Sequence, residues 1–171
     1  VAVLVIVLAI LLWWSGVVRY IPNDRLGILE KLWSFRGSVS NGFIALNREA
    51  GYQPEVVRGG LHFFMPFQYS MHRANLVTIP QGQIGYVFAR DGKPLPPTQT
   101  LASNTVADDF QDVRGFLEKG GQKGPQRKIL REGTYAINLA QFIVLTAQSI
   151  YAVNLSSSEQ NLFTNMSTMI S

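Results

Sequence analysis

Asp108, Asp109 and Asp112 are close enough in the chain to suggest a cation site, because Asp108 and Asp112 share one face if the segment is helical. A plainer reading competes with it. Thr105 and Asp108 make a capping-box variant, and Val106, Phe110, Val113 and Leu117 fall on an apolar stripe that stops at Lys119-Gly120-Gly121. This spacing predicts a helix from Val106 to Lys119 whose first turn is favoured by acidic side chains. No second cluster of oxygen ligands accompanies the three aspartates, so no metal is assigned. The loop from Lys119 to Arg131 carries five basic residues and three glycines. It suits phosphate, lipid headgroups, an acidic neighbour or plain solvent, and Lys123, Arg127 and Lys128 are its candidate oligomer or headgroup contacts. His62 and His72 lie on or near strands, where lone histidines are usually structural. The chain has no G-x-S-x-G, no H-E-x-x-H, no P-loop and no cysteine. Gly82-Gln83-Ile84-Gly85 and Gly120-Gly121-Gln122-Lys123-Gly124 lack the spacing of a nucleotide loop. The expectation is a protein that is not an enzyme and holds no cofactor.

The elements that would position any site begin with an uncharged stretch. Residues 1–18 contain twelve Val, Leu or Ile and no charge, and as a helix would span roughly 27 Å, near the thickness of a bilayer core. Trp13, Trp14 and Tyr20 gather at its end, where amphipathic rings favour the headgroup boundary, and Arg19 and Arg25 follow. Bulky residues around Ser15-Gly16 argue against a cleaved signal peptide. The reading is a transmembrane helix over 1–18, with the following positive charge placing the domain on the cytoplasmic side. Val1 in place of Met leads us to expect a start a few residues inside the natural protein. All 26 charged residues lie beyond the stretch, with a net charge of +4. That excess is too small to point to nucleic acid, which is not expected as a partner. The absence of cysteine excludes disulfides and thiolate metal sites.

Residues 19–153 contain a degenerate repeat, with units at about 19–78 and 79–153. Ile21-Pro22, Gly27 and their apolar neighbours match Ile79-Pro80 and Gly85, while Arg58-Gly59-Gly60 matches Arg131-Glu132-Gly133. A third unit would open near Leu145. Alternation predicts strands with Leu61, Phe63, Met65 and Phe67 on an apolar face and His62, Phe64, Pro66 and Gln68 opposite. A strand with Ile84, Tyr86 and Phe88 on one face should end at the turn Asp91-Gly92. After Tyr135, Ile137 and Leu139 a bulge shifts the phase, so that either Ile143 and Leu145 or Phe142 and Val144 face the core. The uncharged run from Gly133 to Ser158 reads as buried strands rather than a second span, given Asn138, Gln141, Gln148 and Asn154.

The run Val56-Val57-Arg58-Gly59-Gly60-Leu61-His62-Phe63-Phe64-Met65-Pro66-Phe67, behind an apolar segment and Ile-Pro-x-x-x-x-Gly, resembles the SPFH or band 7 superfamily of stomatin, prohibitin and flotillin. With Ile79 to Val87 and Gly133 to Asn138 included, residues 1–153 look most like its bacterial flotillin-like members. The resemblance implies an α+β fold, here an N-terminal transmembrane helix followed by a β-rich SPFH-type domain with two repeated units and at least one packed helix. It also implies a single-pass protein of the bacterial inner membrane, forming homo-oligomeric rings or cages that organise a membrane microdomain. A regulatory partner of a membrane protease or transporter is compatible with the same fold, and a membrane-bound hydrolase would need a convergent polar pocket that the sequence does not display. The family's long coiled coil is not visible in residues 154–171, which read as the start of a helical or linker segment that continues further. Contact with the bilayer is expected at Trp13, Trp14, Arg19, Tyr20, Arg25 and Phe64. Phe63 and Phe67, with Trp33 and Phe35, could press the same apolar edge into the near leaflet with Arg36 at headgroups, although core packing competes for Phe63 and Phe67 and is favoured there.

Overall fold

Pro22 and Pro80 each close a tight turn, their carbonyls accepting the N–H of Arg25 and of Gln83 at 3.1 Å. Each turn passes the chain from a two-stranded ribbon into a larger sheet. A computed structural model of the chain describes Val3, residues 17–103 and residues 108–153. In order its strands are β1 (Val18–Ile21), β2 (Arg25–Lys31), β3 (Gly51–Val57), β4 (Gly60–Phe63), β5 (Tyr69–Asn75), β6 (Val77–Ile79), β7 (Tyr86–Ala89), β8 (Gly124–Pro125), β9 (Gly133–Tyr135), β10 (Phe142–Leu145) and β11 (Ile150–Tyr151). Helix α1 (Val113–Glu118) lies between β7 and β8. Sheet order is β3-β2-β5 in the first unit and β11-β10-β7-β8 in the second, and the antiparallel ribbons β1-β4 and β6-β9 accompany them.

The two motif-bearing stretches pair their strands in matching registers. Ile21 pairs with Gly60 and Ile79 with Gly133. Gly27 lies opposite Val57, and Gly85 bridges Leu130. Lys31 pairs with both Gly51 and Tyr69, and Ala89 pairs with both Gly124 and Phe142. Side chains repeat as well. Gln53 Nε2 donates to Gly51 O at 3.0 Å, and Gln126 Nε2 donates to Gly124 O at 2.9 Å. In both units the glycine of the first sheet strand makes room for the isoleucine of Ile-Pro. A Cβ on Gly27 would lie 2.8 Å from Ile21 Cδ1, and one on Gly85 2.7 Å from Ile79 Cδ1. Any side chain there would overlap a buried methyl, and this close approach explains the glycine in each motif.

One core unites the units. Leu26, Ile28 and Ala74 join Val77, Ile79, Val87, Phe116, Ile137, Phe142 and Val144 in a single buried cluster. Phe142 receives Phe110 at 5.2 Å and Phe116 at 5.1 Å, both edge-to-face, so α1 seals the second sheet with aromatic rings. Asn138, fully buried, ties the units together: its Nδ2 donates to Gln53 O at 3.0 Å and Pro54 O at 3.1 Å, while its Oδ1 accepts Ala140 N–H.

Several expectations are corrected. The described residues form a mostly β architecture with one six-residue helix, not an α+β fold led by a transmembrane helix. Among them no helix is long and apolar enough to cross a membrane. Val18, the last residue of the expected span, begins strand β1, and the structure therefore does not support a single-pass membrane protein. The rest of that span, apart from Val3, lies outside the described residues, as do Thr105 and residues 154–171. The helix is also shorter than its apolar stripe. Asp109 and Phe110 take left-handed backbones (φ 44° and 56°), which a helix cannot propagate, and Asp112 rather than Thr105 caps α1 by accepting Gly115 N–H at 2.9 Å. The uncharged run after Gly133 is strand and turn as far as Val153, with Phe142 and Val144 on the core face. Ile150 pairs back onto Leu145 in a hairpin.

Candidate membrane-contact site

Strand β4 leaves the ribbon at Phe63 and enters a turn from Met65 to Gln68, with Pro66 second and Phe67 third. Phe67 has φ 61°, the left-handed backbone that a type II turn normally gives to Gly or Asn. On the next strand connection, Ser34 to Gly37 form a second turn, closed by Gly37 N–H to Ser34 O at 3.1 Å, with Phe35 and Arg36 at its apex. Leu32 N–H donates to Gln68 O at 2.8 Å and Trp33 Nε1 donates to Phe67 O at 3.2 Å, so the two turns stand side by side. Phe64 N–H donates to Val17 O at 2.8 Å and adds the start of β1 to the same end.

The result is an apolar tip. Phe35 is 96% exposed, Phe67 80%, Phe63 70% and Met65 63%, with Leu61, Tyr20, Leu32 and Trp33 exposed around them. Three cations lie beside the Phe35 turn: Lys31 Nζ donates to Arg48 O at 2.9 Å, Arg36 Nη1 donates to Asn47 O at 3.2 Å, and both Arg36 and Arg48 are exposed. Glu49 follows them in the chain. The N–H of Asn47 holds its carboxyl below the usual glutamate range, with smaller help from the Asn47 amide and Arg36. Bulky apolar groups beside cations can immerse in the outer part of an anionic lipid leaflet.

The sequence-derived contacts distribute unevenly. Tyr20 is exposed opposite Leu61, and Arg19 is exposed opposite His62 on the same ribbon. Arg25 is exposed at the far end of β2 from Lys31, ion-paired at 4.0 Å with Asp24, so it does not join the tip. Trp13 and Trp14 lie outside the described residues. Phe64 is only half-exposed, with its ring 5.9 Å from Tyr69 and 6.3 Å from His62. It lines a hollow of about 340 Å³ with Leu29, Val57, Phe63, Met65 and Tyr69. Phe63 and Phe67, for which the sequence favoured core packing, are exposed, and Phe64 is the more covered of the three. Trp33-Ser34-Phe35-Arg36-Gly37, already a candidate from the sequence, sets two aromatics in a turn composition that gives them no core to enter.

Lys123, Arg127 and Lys128 belong to the second unit. Lys123 and Arg127 are exposed near β8, while Lys128 pairs with Asp109 at 2.9 Å. His62 Nε2 lies 2.8 Å from Arg58 O, and His72 Nε2 lies 2.8 Å from Glu30 Oε2; both rings join neighbouring strands or turns. Asp109 and Asp112 are occupied by Lys128 and the α1 cap, and among the described residues no three His, Asp or Glu side chains converge on a possible metal.

The chain matches no family model, no curated protein and no solved structure.

Proposed function

We propose that this protein is a non-enzymatic scaffold that rests on a lipid surface through the tip at Phe35, Phe63, Met65 and Phe67 and assembles laterally with copies of itself. Contact through these side chains replaces the spanning helix expected from the sequence, and the scaffold role follows the motif resemblance to SPFH proteins. The carrying observation is Phe67, a bulky residue in a left-handed backbone with its ring 80% exposed. That conformation costs on the order of 1 kcal/mol, and in the free chain its ring recovers little of it by burial. A lipid surface supplies the missing burial for this side chain and its neighbours at once. Confinement to that surface raises effective concentration, so modest contacts between copies suffice for assembly.

The test is flotation of the full chain with phosphatidylcholine vesicles containing phosphatidylglycerol. Burying one Phe is favourable by about 1.5–3 kcal/mol, so Phe35→Asp with Phe67→Asp should lower vesicle partition by roughly thirtyfold or more. Both side chains face solvent, and Asp tolerates the left-handed position, so the melting temperature should hold. Equal partition of variant and parent would refute the proposal.

A further inference from the structure

The end of the β7–β8 ladder brings two cations to an apolar hollow. Phe88 pairs with Pro125 and Ala89 with Gly124, and Arg90 and Lys123 adjoin them in the chain. Like charges on neighbouring strands repel, so this juxtaposition does not help the unliganded chain. The fold does not demand it either. In the first unit, where Glu30 pairs with Tyr52 and Lys31 with Gly51, the positions equivalent to Arg90 and Lys123 hold Leu32 and buried Ala50. Phe88, Leu95 and Pro125 line the hollow together with Arg90 and Lys123, and its volume is about 300 Å³. The segment that carries Leu95 is fastened in place: Lys93 N–H donates to Gly121 O at 2.8 Å, and Lys123 N–H donates to Lys93 O at 2.9 Å. Gly124 lets it come close, since a Cβ there would lie 3.1 Å from Leu95 Cδ1.

We propose that this hollow binds a single-chain fatty carboxylate, with its alkyl chain against Phe88, Leu95 and Pro125 and its carboxylate held by Arg90 and Lys123. Charge selects an anion. Acids of the second unit are engaged elsewhere: Asp91 accepts the N–H of Phe43 at 3.1 Å and that of Gly92 at 2.8 Å, Asp109 pairs with Lys128, and Glu118 pairs with Arg114. Among the described residues neither Lys93 nor Lys123 has a carboxylate partner. The lining selects the rest of the ligand. It is almost wholly apolar, so a bare inorganic anion would leave it unfilled, whereas an alkyl chain would bury Phe88, which is 40% exposed. The volume stands at the low end for small-ligand sites and suits one chain rather than two. A planar carboxylate also matches the fork of a guanidinium. The site shares no residue with the apolar tip, so it can fill whether or not the chain rests on lipid.

The full chain is irradiated with a decanoate analogue that carries a diazirine on its alkyl chain, and the labelled peptides are mapped by mass spectrometry. Labelling is expected within residues 88–95 and 123–125, displaced by decanoate but not by equal concentrations of decanol or acetate. Equal displacement by decanol would show that charge is not read, and displacement by acetate that the chain is not; either overturns the proposal, as does labelling confined to other residues or absent. A second arm separates the two sources of an anionic chain. Phosphatidylglycerol bearing the same diazirine, supplied in phosphatidylcholine vesicles, should leave the hollow unlabelled, and labelling there would assign the site to leaflet phospholipid instead. Lys123→Glu should weaken displacement by decanoate roughly tenfold, the scale of one hydrogen bond to a charged group. Lys123→Gln should fall between variant and parent. Lys123 is exposed, so both variants should keep the parent's melting temperature. Unchanged decanoate affinity in both would refute the assignment. Because decanoate is taken up from water, loss of vesicle binding would sink the lipid-surface reading and leave this site standing, whereas failed labelling would sink the site alone.

Discussion

A double-mutant cycle at Gly85 and Ile79 tests the tandem architecture at its closest contact. A Cβ on Gly85 would stand 2.7 Å from Ile79 Cδ1 and 3.2 Å from Val144 Cγ1, both shorter than ordinary carbon contacts. Ile79 is 2% exposed and Val144 fully buried, so neither methyl can swing into solvent. Gly85→Ala should therefore destabilise by about 1–3 kcal/mol through overpacking, less a few tenths recovered from the lower freedom of Ala in the unfolded chain. Ile79→Val removes Cδ1 and by itself should cost about 1 kcal/mol. In the double variant the lost methyl vacates the space that the new Cβ needs. The pair should then be more stable than the sum of the singles by about 1–2 kcal/mol, read from urea midpoints at constant m-value. The same cycle at Gly27 and Ile21 should couple with the same sign but more weakly, because the second neighbour is Met71 Sδ at 3.0 Å on a flexible side chain. Additive behaviour at both sites would show that the isoleucines do not lie over the glycines, and the equivalence of the two units would fall with them.

Asn138→Ala should cost about 2–4 kcal/mol in urea unfolding, because it leaves the buried carbonyls of Gln53 and Pro54 and the N–H of Ala140 without the amide that joins them; a loss below 1 kcal/mol would show that the tie is not needed. Glu49 should titrate by NMR below the usual glutamate range. Its depressed pKa means that its favourable contribution is complete above the unfolded value and disappears as pH falls through the folded one. Since the main cause is the N–H of Asn47, Asn47→Ala should preserve most of the depression, and a return to the ordinary value would refute that ordering.

The tandem repeat was legible because its signals are turns and close approaches, which short motifs determine locally. Ile-Pro sets the turn, Gly27 and Gly85 admit the isoleucine, and the glycine of Arg-x-Gly takes a positive φ in each unit, 131° at Gly60 and 145° at Gly133. Face assignment was not legible, because alternation separates two sides of a strand without saying which is covered. On β7 the row Ile84, Tyr86, Phe88 is more apolar in bulk than Val87 and Ala89, yet the smaller pair meets the core because Phe142 and Val144 lie beside it. At Leu61 to Phe67 the same ambiguity left Phe63 and Phe67 between core and surface, and what joins them to Trp33 and Phe35 is a contact between turns distant in sequence. The α1 boundary depended on left-handed backbones at Asp109 and Phe110, which no residue type at those positions announces.

The contrast between the units argues that the tip's exposed bulk is not a requirement of the fold. By the repeat register, Phe63, Met65 and Phe67 correspond to Ala136, Asn138 and Ala140. The second set is small or polar and buried, and its Asn138 is hydrogen-bonded onto β3 of the first unit, a geometry that Phe or Met would crowd. The first set is exposed among the described residues, where solubility alone would favour polar side chains. It carries instead large apolar side chains, one of them in a strained backbone. Stability of the isolated chain explains neither choice, since exposed rings add little and the strain subtracts. The proposed contact with a lipid surface gives both a role.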